Sequence, residues 1–431
     1  MIVVTLKLIF MTISQAFDTL LTNIKVDNYE QISNRYKEIT KKLNKTFRST
    51  DSETDNSLQV GSYGRYTGIK GISDLDMLYI MPNSSWEKYK DCPAKLLRDT
   101  KIALCERYPN TDITYDRLVV VVQFVGFKFE VQPVFEADIK DDLLTYKYPD
   151  TACDSYRITM PKHEQKAMVD FRCAYGDKHR KLCKIIRAWK NHVGLNMGGL
   201  LIDTLTYNFL SKNIDCVKEN FDIIVCKFFQ YLINLPDQKY YCALGSGQHV
   251  KVKKSFKSKA KKSLAITQKA LVANEDEKLK LWQDIFGKVF PSISTRSHSL
   301  YDNTEEYIED KYPVDIRHNT HIDCIIEANG YRTQKLTELL LQCHRIPRLR
   351  SLQFMIDRCD VPEPYEVKWK VRNVGEEAER RNCIRGQIVS SNMGVGKRKE
   401  SSDFYGAHYV ECYILKNDIV VARDRIDVPI E

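Results

Sequence analysis

The feature that most constrains this chain is a glycine-rich turn, residues 61–65, followed closely by two aspartates on one predicted strand. Asp74 and Asp76 stand two positions apart, so their side chains share one face of that strand. Two carboxylates on one face repel each other unless a cation lies between them, and a hard divalent ion completed by bound phosphates suits that geometry. A D-x-D pair alone is usually a solvated strand end. The turn before it favours a phosphate and metal site instead.

Glu130 is the candidate for a third carboxylate. It follows a long apolar strand and alternates with Phe129 and Val131, so its side chain lies opposite the apolar face. A lone glutamate on a strand is usually solvated, but one downstream of a D-x-D pair can complete a metal site. Two ions held by three carboxylates stabilise both the attacking and the leaving oxygens of an in-line displacement. We therefore predict that Asp74, Asp76 and Glu130 are catalytic ligands of two Mg²⁺ or Mn²⁺ ions.

The turn itself is a candidate phosphate site. The backbone N–H groups of Gly61 and Ser62, together with the Ser62 hydroxyl, form the kind of nest that binds phosphate oxygens. Arg65 either adds a positive charge to this site or is an exposed arginine. The sequence contains no G-x-x-x-x-G-K-[ST] motif, which argues against a P-loop ATPase.

A helix around Trp189 carries the next candidates. Its apolar stripe predicts one buried face, and Arg180, Lys184 and Arg187 follow another. Such a basic face is commonly only solvated surface, but across a cleft from a triphosphate it would clamp the phosphates. Both interpretations stay open, and the turn upstream favours the clamp.

A dense lysine run, residues 251–262, follows a second glycine-serine segment that contains Ser246. Seven of these twelve residues are lysines. The run could bind nucleic acid or the phosphates of an entering nucleotide, and Ser246 is counted among the candidate nucleotide contacts. A solvated helix face explains the lysines equally well.

Composition sets the outer bounds. The chain has 431 residues, a formal charge of +9 and 13 cysteines with no C-x-x-C pair. This size predicts two or three structural units, and the mild positive charge favours anionic partners without identifying one. The cysteine pattern predicts reduced, mostly buried thiols in a cytoplasmic protein, and no apolar run reaches the roughly 20 residues of a membrane span. The apolar segment 2–10 lacks signal-peptide features, and Met11 is the expected translation start.

Apolar periodicity predicts an α+β protein with three domains, at residues 11–170, 171–299 and 300–431. Helices are predicted at residues 28–47, 94–108, 178–193, 199–212 and 221–235, with two more within 257–286. Strands are predicted at residues 74–81, 118–125, 127–131, 367–371 and 409–415, with Pro133 ending the third of them.

The motif segments together resemble a known family. Residues 61–71 and 73–79 look like the bacterial CD-NTases, the cGAS/DncV-like nucleotidyltransferases, which have a polymerase-β-like fold. Residues 186–190 are similar to the basic-x-Trp helix of that family, and residues 282–291 resemble the close of its helical part. The fold implied is a mixed sheet with helices, then a helical middle domain.

The C-terminal part resembles a second module. Residues 369–378, 385–387 and 405–412 are similar to the AGS-C domain, a presumed sensor attached to some of these synthases. His408, Arg372, Arg385 and Arg423 could recognise an anion there, although single residues of these types are more often surface decoration. An activating ligand of this domain is therefore possible.

The resemblance implies specific roles. Asp74, Asp76 and Glu130 would bind metal, and Ser62 would contact the nucleotide phosphate. Glu130 is one methylene longer than the aspartate common in the family. Because many relatives have lysine at the position of Arg187, Lys184 or Lys190 is expected to share the phosphate role.

The implied activity is that of a cytoplasmic cyclic oligonucleotide synthase. It would use ATP and/or GTP, release pyrophosphate and make a cyclic di- or trinucleotide, which activates a separate effector in anti-phage defence (CBASS). Alternatives are an enzyme that makes linear oligonucleotides or RNA tails, and a nucleotide or nucleic-acid sensor with impaired catalysis.

Overall fold

The computed structural model describes residues 11–71, 74–292, 304–327, 333–342 and 345–431. The described chain divides into two compact units. The first runs to Trp189 and resumes at Gly198; the second comprises Lys190–Met197 and the residues from 304 onward. The segment before Met11 and the predicted boundary at residues 299/300 lie outside the described residues. The separation of a catalytic from a helical domain within the first unit stays a prediction.

Helices and strands alternate between residues 11 and 160, and helices dominate from there to residue 292. The helices up to residue 292 are α1 (Ile13–Asn23), α2 (Tyr29–Arg48), α3 (Gly61–Gly64), α4 (Trp86–Tyr89), α5 (Pro93–Arg107), α6 (Pro161–Tyr175), α7 (Lys178–His192), α8 (Gly199–Lys212), α9 (Phe221–Asn234), α10 (Lys257–Val272) and α11 (Glu275–Phe286). The strands are β1 (Ser57–Gln59), β2 (Asp74–Ile80), β3 (Ile113–Tyr115), β4 (Val120–Phe124), β5 (Phe127–Lys140), β6 (Leu143–Asp150), β7 (Ser155–Thr159), β8 (Tyr240–Cys242) and β9 (His249–Lys251).

A mixed sheet forms the frame of the first unit. Its strand order is β1-β2-β5-β4-β3, with β6 and β7 continuing from β5. Strands β2 and β5 run parallel, while the other pairs are antiparallel. Apolar side chains of α2 and α5, among them Ile39, Leu43 and Leu104, pack on this sheet and exclude water from its core. The mixed α+β class predicted from the sequence is confirmed.

The prediction that Pro133 ends a strand is wrong. Strand β5 continues through the proline to Lys140. Pairing with β4 ends at Val131 and pairing with β6 begins at Phe135. Position 133 therefore lies where no antiparallel neighbour needs the backbone N–H that proline lacks.

Aromatic side chains organise the helical part of the first unit. Trp189 of α7 is fully buried against Phe229 of α9, and its indole N–H donates to the Ser263 hydroxyl at 2.8 Å. Helix α1 joins the same part through Phe17, whose ring lies 5.0 Å from that of Trp282. The apolar stripe predicted on the helix around Trp189 is thus a core face.

The second unit is built from two four-stranded sheets. Their orders are β11-β10-β12-β15 and β14-β13-β16-β17, and their apolar faces share one core that includes Phe354 and Trp369. The elements are β10 (Thr320–Glu327), β11 (Gln334–Lys335), α12 (Leu336–Gln342), β12 (Ser351–Cys359), β13 (Glu366–Arg372), α13 (Glu376–Arg380), β14 (Arg385–Ser390), β15 (Lys397–Ser401), β16 (Gly406–Lys416) and β17 (Ile419–Ile430).

The residues of this unit that were candidates for recognising an anion have partners inside the unit. Arg423 is buried and pairs with Glu309 and Glu411, while Arg372 lies 3.3 Å from a carboxylate oxygen of Glu305. Arg385 and His408 also have internal partners, described below. Neither surface decoration nor a free anion receptor describes these residues, because each cation is matched by a neighbouring carboxylate and His408 is held by backbone groups.

Two further expectations from the sequence concern the burial of the cysteines and the presence of membrane-spanning helices. The described cysteines are free, but Cys92, Cys153, Cys173 and Cys242 are exposed, so the thiols are less buried than predicted. None of the helices in the described ranges is both long and apolar enough to cross a bilayer.

Candidate active site

The glycine-serine turn is folded directly against the first strand of the site. The turn forms α3, and the backbone N–H of Val60 just before it donates to the carbonyl of Asp76 at 2.9 Å. Gly61 has a φ of +64°, and a Cβ at this position would come within 1.8 Å of a carboxylate oxygen of Asp76. Only glycine fits there, because any side chain would push the turn off the aspartate.

The three candidate carboxylates lie on neighbouring strands. In the parallel pairing of β2 with β5, Asp76 stands opposite Glu130 and Asp74 stands opposite Lys128. Leu75 and Met77, the alternating residues of β2, are fully buried, so the aspartates point to the other, partly exposed face. The sequence prediction that these carboxylates belong to one site is therefore supported by their register, while their role as ligands stays a prediction.

Lys128 places a positive charge among these carboxylates. Its Nζ lies 2.7 Å from Oε1 of Glu130 and 3.5 Å from Oδ1 of Asp74. Within the described ranges no three His, Cys, Asp or Glu side chains converge on one point as a metal shell would require. The donor chemistry nevertheless fits a hard divalent ion, since the atoms are carboxylate oxygens and a cation already bridges two of them.

A second, buried ionic cluster lies behind the turn. Asp203 of α8, fully buried, accepts from both terminal nitrogens of the Arg187 guanidinium, at 2.6 and 3.0 Å. The same carboxylate accepts from Nε of Arg65 at 2.9 Å and from the Thr67 hydroxyl at 3.0 Å. Arg65 also donates to Glu164 of α6 at 2.8 Å. We call these residues, with Ser246, the Asp203 cluster.

Electrostatics favour the ionised forms of Asp203 and Arg65, whereas burial raises the pKa of Glu164 in the same cluster. Burial disfavours the charged form of Asp203, but Arg187 and Arg65 outweigh it and hold the pKa of this carboxyl well below its usual range. Burial also opposes the charge on Arg65, yet Asp203, Glu164 and, more weakly, Asp76 raise its pKa. Through Arg65, the Asp203 cluster thus interacts electrostatically with Asp76 of the D-x-D strand.

These contacts engage only some of the basic side chains of α7. Arg187 is paired with Asp203, whereas Lys184 has no carboxylate within ion-pair distance among the described residues. Burial, opposed by Asp177 but aided by Arg180 and Arg187, lowers the pKa of Lys184. Arg180 stacks over the ring of Tyr66, next to the turn, at 4.8 Å. Lys184 therefore lies between two arginines that both reach the region of the turn.

Two other predicted contacts are placed elsewhere. Lys190 groups with the second unit, where its Nζ lies 3.5 Å from Asp315. Ser246 is buried, and its hydroxyl lies 3.4 Å from Glu164 in the Asp203 cluster. The lysine run extends from the last residue of β9 into the start of α10, and most of its lysines are exposed.

Sequence reasoning missed Asp203, Glu164 and Lys128. Asp203 had a usable signal, since a lone aspartate inside the apolar segment Gly199–Lys212 predicts a buried, paired charge. Glu164 and Lys128 had none, because their roles depend on which helices and strands become neighbours.

The chain matches two domain families. Residues 11–171 match the Second Messenger Oligonucleotide or Dinucleotide Synthetase domain (SMODS), and residues 302–431 match the Adenylyl/Guanylyl and SMODS C-terminal sensor domain (AGS_C). No curated protein sequence matches the chain.

Solved structures are similar to part of the chain. Escherichia coli MS115-1 CdnC, in complex with HORMA-deltaN, aligns over 65% of this chain and 98% of its own, with a TM-score of 0.51 at 13% identity. CdnC with ATP covers 64% and 99%, with a TM-score of 0.48 at 14% identity. The Vibrio cholerae di-nucleotide cyclase DncV covers 65% and 87%, with a TM-score of 0.43 at 14% identity.

The SMODS match contains both the turn and the strand carboxylates, and this places the protein among the nucleotidyltransferases. Its sheet and helices have the polymerase-β-like arrangement of that class. The chain belongs to the bacterial CD-NTases that carry a C-terminal AGS-C domain, and its class of activity is the synthesis of cyclic oligonucleotide second messengers.

Proposed function

We propose that the chain joins nucleoside triphosphates, ATP and GTP among them, into a cyclic di- or trinucleotide. A ribose hydroxyl of one nucleotide attacks the α-phosphorus of another, the α–β phosphoanhydride bond breaks, and pyrophosphate leaves. In the linear product, the terminal ribose hydroxyl then attacks the α-phosphorus of the remaining triphosphate, that α–β bond breaks, and a further pyrophosphate leaves as the ring closes. The observation that carries this proposal is the contact of Gly61 with Asp76, together with the register that sets Asp76 beside Glu130.

Asp74, Asp76 and Glu130 would hold two Mg²⁺ or Mn²⁺ ions. Such ions activate the attacking hydroxyl and neutralise charge on the departing pyrophosphate. Lys128 holds positive charge between two of these carboxylates and so limits their mutual repulsion before nucleotide arrives.

The phosphate contacts divide into two groups. Ser62 and Lys184 are the proposed direct contacts, because among the described residues the Ser62 hydroxyl has no side-chain hydrogen bond and Lys184 has no ion-pair partner. Arg65 and Arg187 are proposed as positioning residues, since their guanidinium groups are committed to Asp203. Ser246 belongs with them, and Lys190 is the weakest of the predicted contacts.

Mass spectrometry of the products is the test of the reaction. Purified protein is incubated with all four nucleoside triphosphates and Mg²⁺ or Mn²⁺, and the products are treated with phosphatase. We expect a phosphatase-resistant cyclic product that disappears when Asp74 and Asp76 are both changed to alanine. Linear oligonucleotides or tailed RNA alone would contradict the proposal, and so would pyrophosphate release no greater than background.

Lys184→Met tests the phosphate contact. We expect the KM for nucleoside triphosphate to rise about tenfold, the loss of roughly 1.4 kcal/mol of binding free energy. Lys181→Met is the matched control, because this lysine is exposed on the same helix. Equal KM values for the two variants would remove Lys184 from the site.

The product is proposed to act on a separate effector protein in cytoplasmic anti-phage defence. The pairing of a synthetase with a sensor domain in one chain supports a signalling role. Production of the cyclic nucleotide in cells only during phage infection would agree with it; constant production without infection would not.

A further inference from the structure

The positive charge of the chain is concentrated in residues 239–273. This segment contains nine lysines and no arginine, aspartate or glutamate, so its formal charge of +9 equals the net charge of all 431 residues. The rest of the sequence is balanced between acidic and basic side chains. The segment comprises the hairpin β8–β9, a short connection and helix α10, all within the first unit. We call it the basic segment.

Most lysines of the basic segment are exposed and have no acidic neighbour. Lys257 forms an ion pair with Asp237, at 3.0 Å, just outside the segment. Seven others are exposed and have no carboxylate within ion-pair distance among the described residues; they are Lys239, Lys251, Lys253, Lys254, Lys261, Lys262 and Lys269. Their charges are therefore available to an external anion.

The positive charge at the start of α10 opposes the stability of that helix. Its first turn contains Lys257 and Lys259 and no acidic residue, although negative side chains are favourable there. The next helix, α11, has three acidic residues in its first turn. Lys257 and Lys261 also stand four positions apart, where like charges repel each other. A bound polyanion would offset both penalties.

The hairpin presents aromatic rings beside these lysines. Tyr240 of β8 stands opposite Lys251 of β9, and both side chains are exposed, as is that of His249. The rings of Tyr240 and His249 stack with their centroids 3.7 Å apart and 24° between their planes. Tyr240 nevertheless remains 47% exposed. A further flat ring can therefore stack on this pair.

The hairpin and the start of α10 lie side by side. The ion pair of Lys257 with Asp237 joins the first residue of α10 to the chain just before β8. The backbone N–H of Val252, which follows β9, donates to the carbonyl of Lys239 at 2.9 Å. The ring pair and the lysines of the connection and the helix thus belong to one surface.

We propose that this surface binds single-stranded nucleic acid. Its exposed lysines suit a chain of phosphates, and the Tyr240–His249 pair suits an unpaired base, because bases in a duplex are already stacked on each other. A single nucleotide has too few phosphates to engage lysines spread over a hairpin and a helix. The inference does not depend on the proposed synthesis of cyclic nucleotides, because neither the rings nor these lysines belong to the candidate active site.

Fluorescence anisotropy of the full chain with labelled oligonucleotides tests the proposal. The probes are oligouridine RNA and oligothymidine DNA of about 12 nucleotides, within the range of single-strand sites, and a duplex of equal length. A saturating non-hydrolysable nucleoside triphosphate is present throughout, so that the candidate active site does not take up the probe.

We expect at least one single strand to bind at least about fivefold more tightly than the duplex, with an affinity that falls as salt rises. Binding of RNA alone would show that the ribose is recognised, and binding of both strands that it is not. Absence of binding by either strand, or equal binding of the duplex, would overturn the proposal.

Lys253→Ala combined with Lys254→Ala tests the charge. We expect affinity to fall at least about tenfold, and the slope of log affinity against log salt to fall by about 1.4, roughly 0.7 for each lysine. Lys212→Ala combined with Lys218→Ala is the matched control, because both lysines are exposed in the same unit but outside the basic segment. Equal losses in the two double variants would contradict the proposal.

Tyr240→Ala tests the stacking. We expect strand binding to weaken at least about fivefold with an unchanged salt slope, because a ring and no charge is removed. Tyr240→Phe should keep the wild-type affinity. Inorganic polyphosphate, which has no bases, should bind Tyr240→Ala and the wild type alike in calorimetry. Wild-type strand binding by Tyr240→Ala, or an equal loss of strand and polyphosphate binding, would contradict a stacked base.

Discussion

The first unit contains two groups of carboxylates that differ in how the protein treats their charge. Asp74, Asp76 and Glu130 are partly exposed on the neighbouring strands β2 and β5, with Lys128 as the cation among them. Asp203, in contrast, is fully buried and held by two arginines and a hydroxyl. We propose that the first group can bind an added cation. The charge of the second is already neutralised by arginines within the fold.

This difference follows from the cost of burying charge. A buried carboxylate is tolerated only when hydrogen bonds and opposite charges satisfy it, and removal of one partner is then strongly destabilising. Partly exposed carboxylates do not carry this penalty, and we propose that those of this site exchange the lysine for a metal ion. The chemistry of the site and the stability of its scaffold are thereby assigned to different residues.

The largest expected effect is on activity at the exposed group. Glu130→Gln should lower pyrophosphate release about a thousandfold or more, roughly 4 kcal/mol of transition-state stabilisation, because an amide oxygen cannot replace a metal-binding carboxylate. Glu136→Gln, an exposed position further along β5, is the control and should keep its activity. A fully active Glu130→Gln variant would show that the third ligand lies elsewhere.

The buried group should affect stability instead. Asp203→Asn leaves two buried guanidinium groups short of an anion, and we expect the free energy of unfolding to fall by about 3–5 kcal/mol. Denaturant titration measures this change. Asp170→Asn breaks an exposed pair with Lys166 and should cost less than about 1 kcal/mol. Similar losses in the two variants would mean that the Asp203 cluster is not the scaffold we describe.

A smaller effect is expected from pH. Burial lowers the pKa of His179, which contacts Thr206 beside the Asp203 cluster, to about 4. Between the unfolded pKa of about 6.5 and that value, only the unfolded chain binds the proton, so stability rises with pH and is lost as pH falls. The slope from this group is at most about 1.4 kcal/mol per pH unit.

The check is the pH dependence of unfolding in wild type and His179→Asn, with the exposed His249→Asn as control. The His179 variant should have the flatter profile between about pH 6.5 and 4. Parallel profiles in all three proteins would exclude His179 as a source of acid sensitivity.

Much of the fold was predictable because it depends on local periodicity. Helix α2, the helices from α7 to α11 and strands β2, β13 and β16 follow their apolar patterns within a few residues. Helix α6 was missed although Pro161 at its first turn is a recognisable start. The continuation of β5 through Pro133 was not predictable, since it depends on where β4 stops pairing.

The residues of the candidate site also divide into those that local sequence predicts and those whose contacts it does not predict. Gly61, Asp74 and Asp76 were found because their chemistry and spacing are local. Arg65 and Arg187 were found as basic residues, but their pairing with Asp203 was not, because it depends on tertiary packing: Arg65 lies 138 positions from Asp203, and Arg187 lies 16 positions from it on a different helix. The local sequence identifies the charged residues, but their tertiary neighbours determine which of them remain available to bind a ligand.

The most direct measurement of this division is Mn²⁺ binding, followed by electron paramagnetic resonance of the free ion in the presence of a non-hydrolysable nucleoside triphosphate. The wild type and Asp170→Asn should bind Mn²⁺ alike, and Asp76→Asn should lose that binding while its free energy of unfolding stays within about 0.5 kcal/mol of wild type. Unchanged Mn²⁺ binding by a folded Asp76→Asn variant would contradict the account.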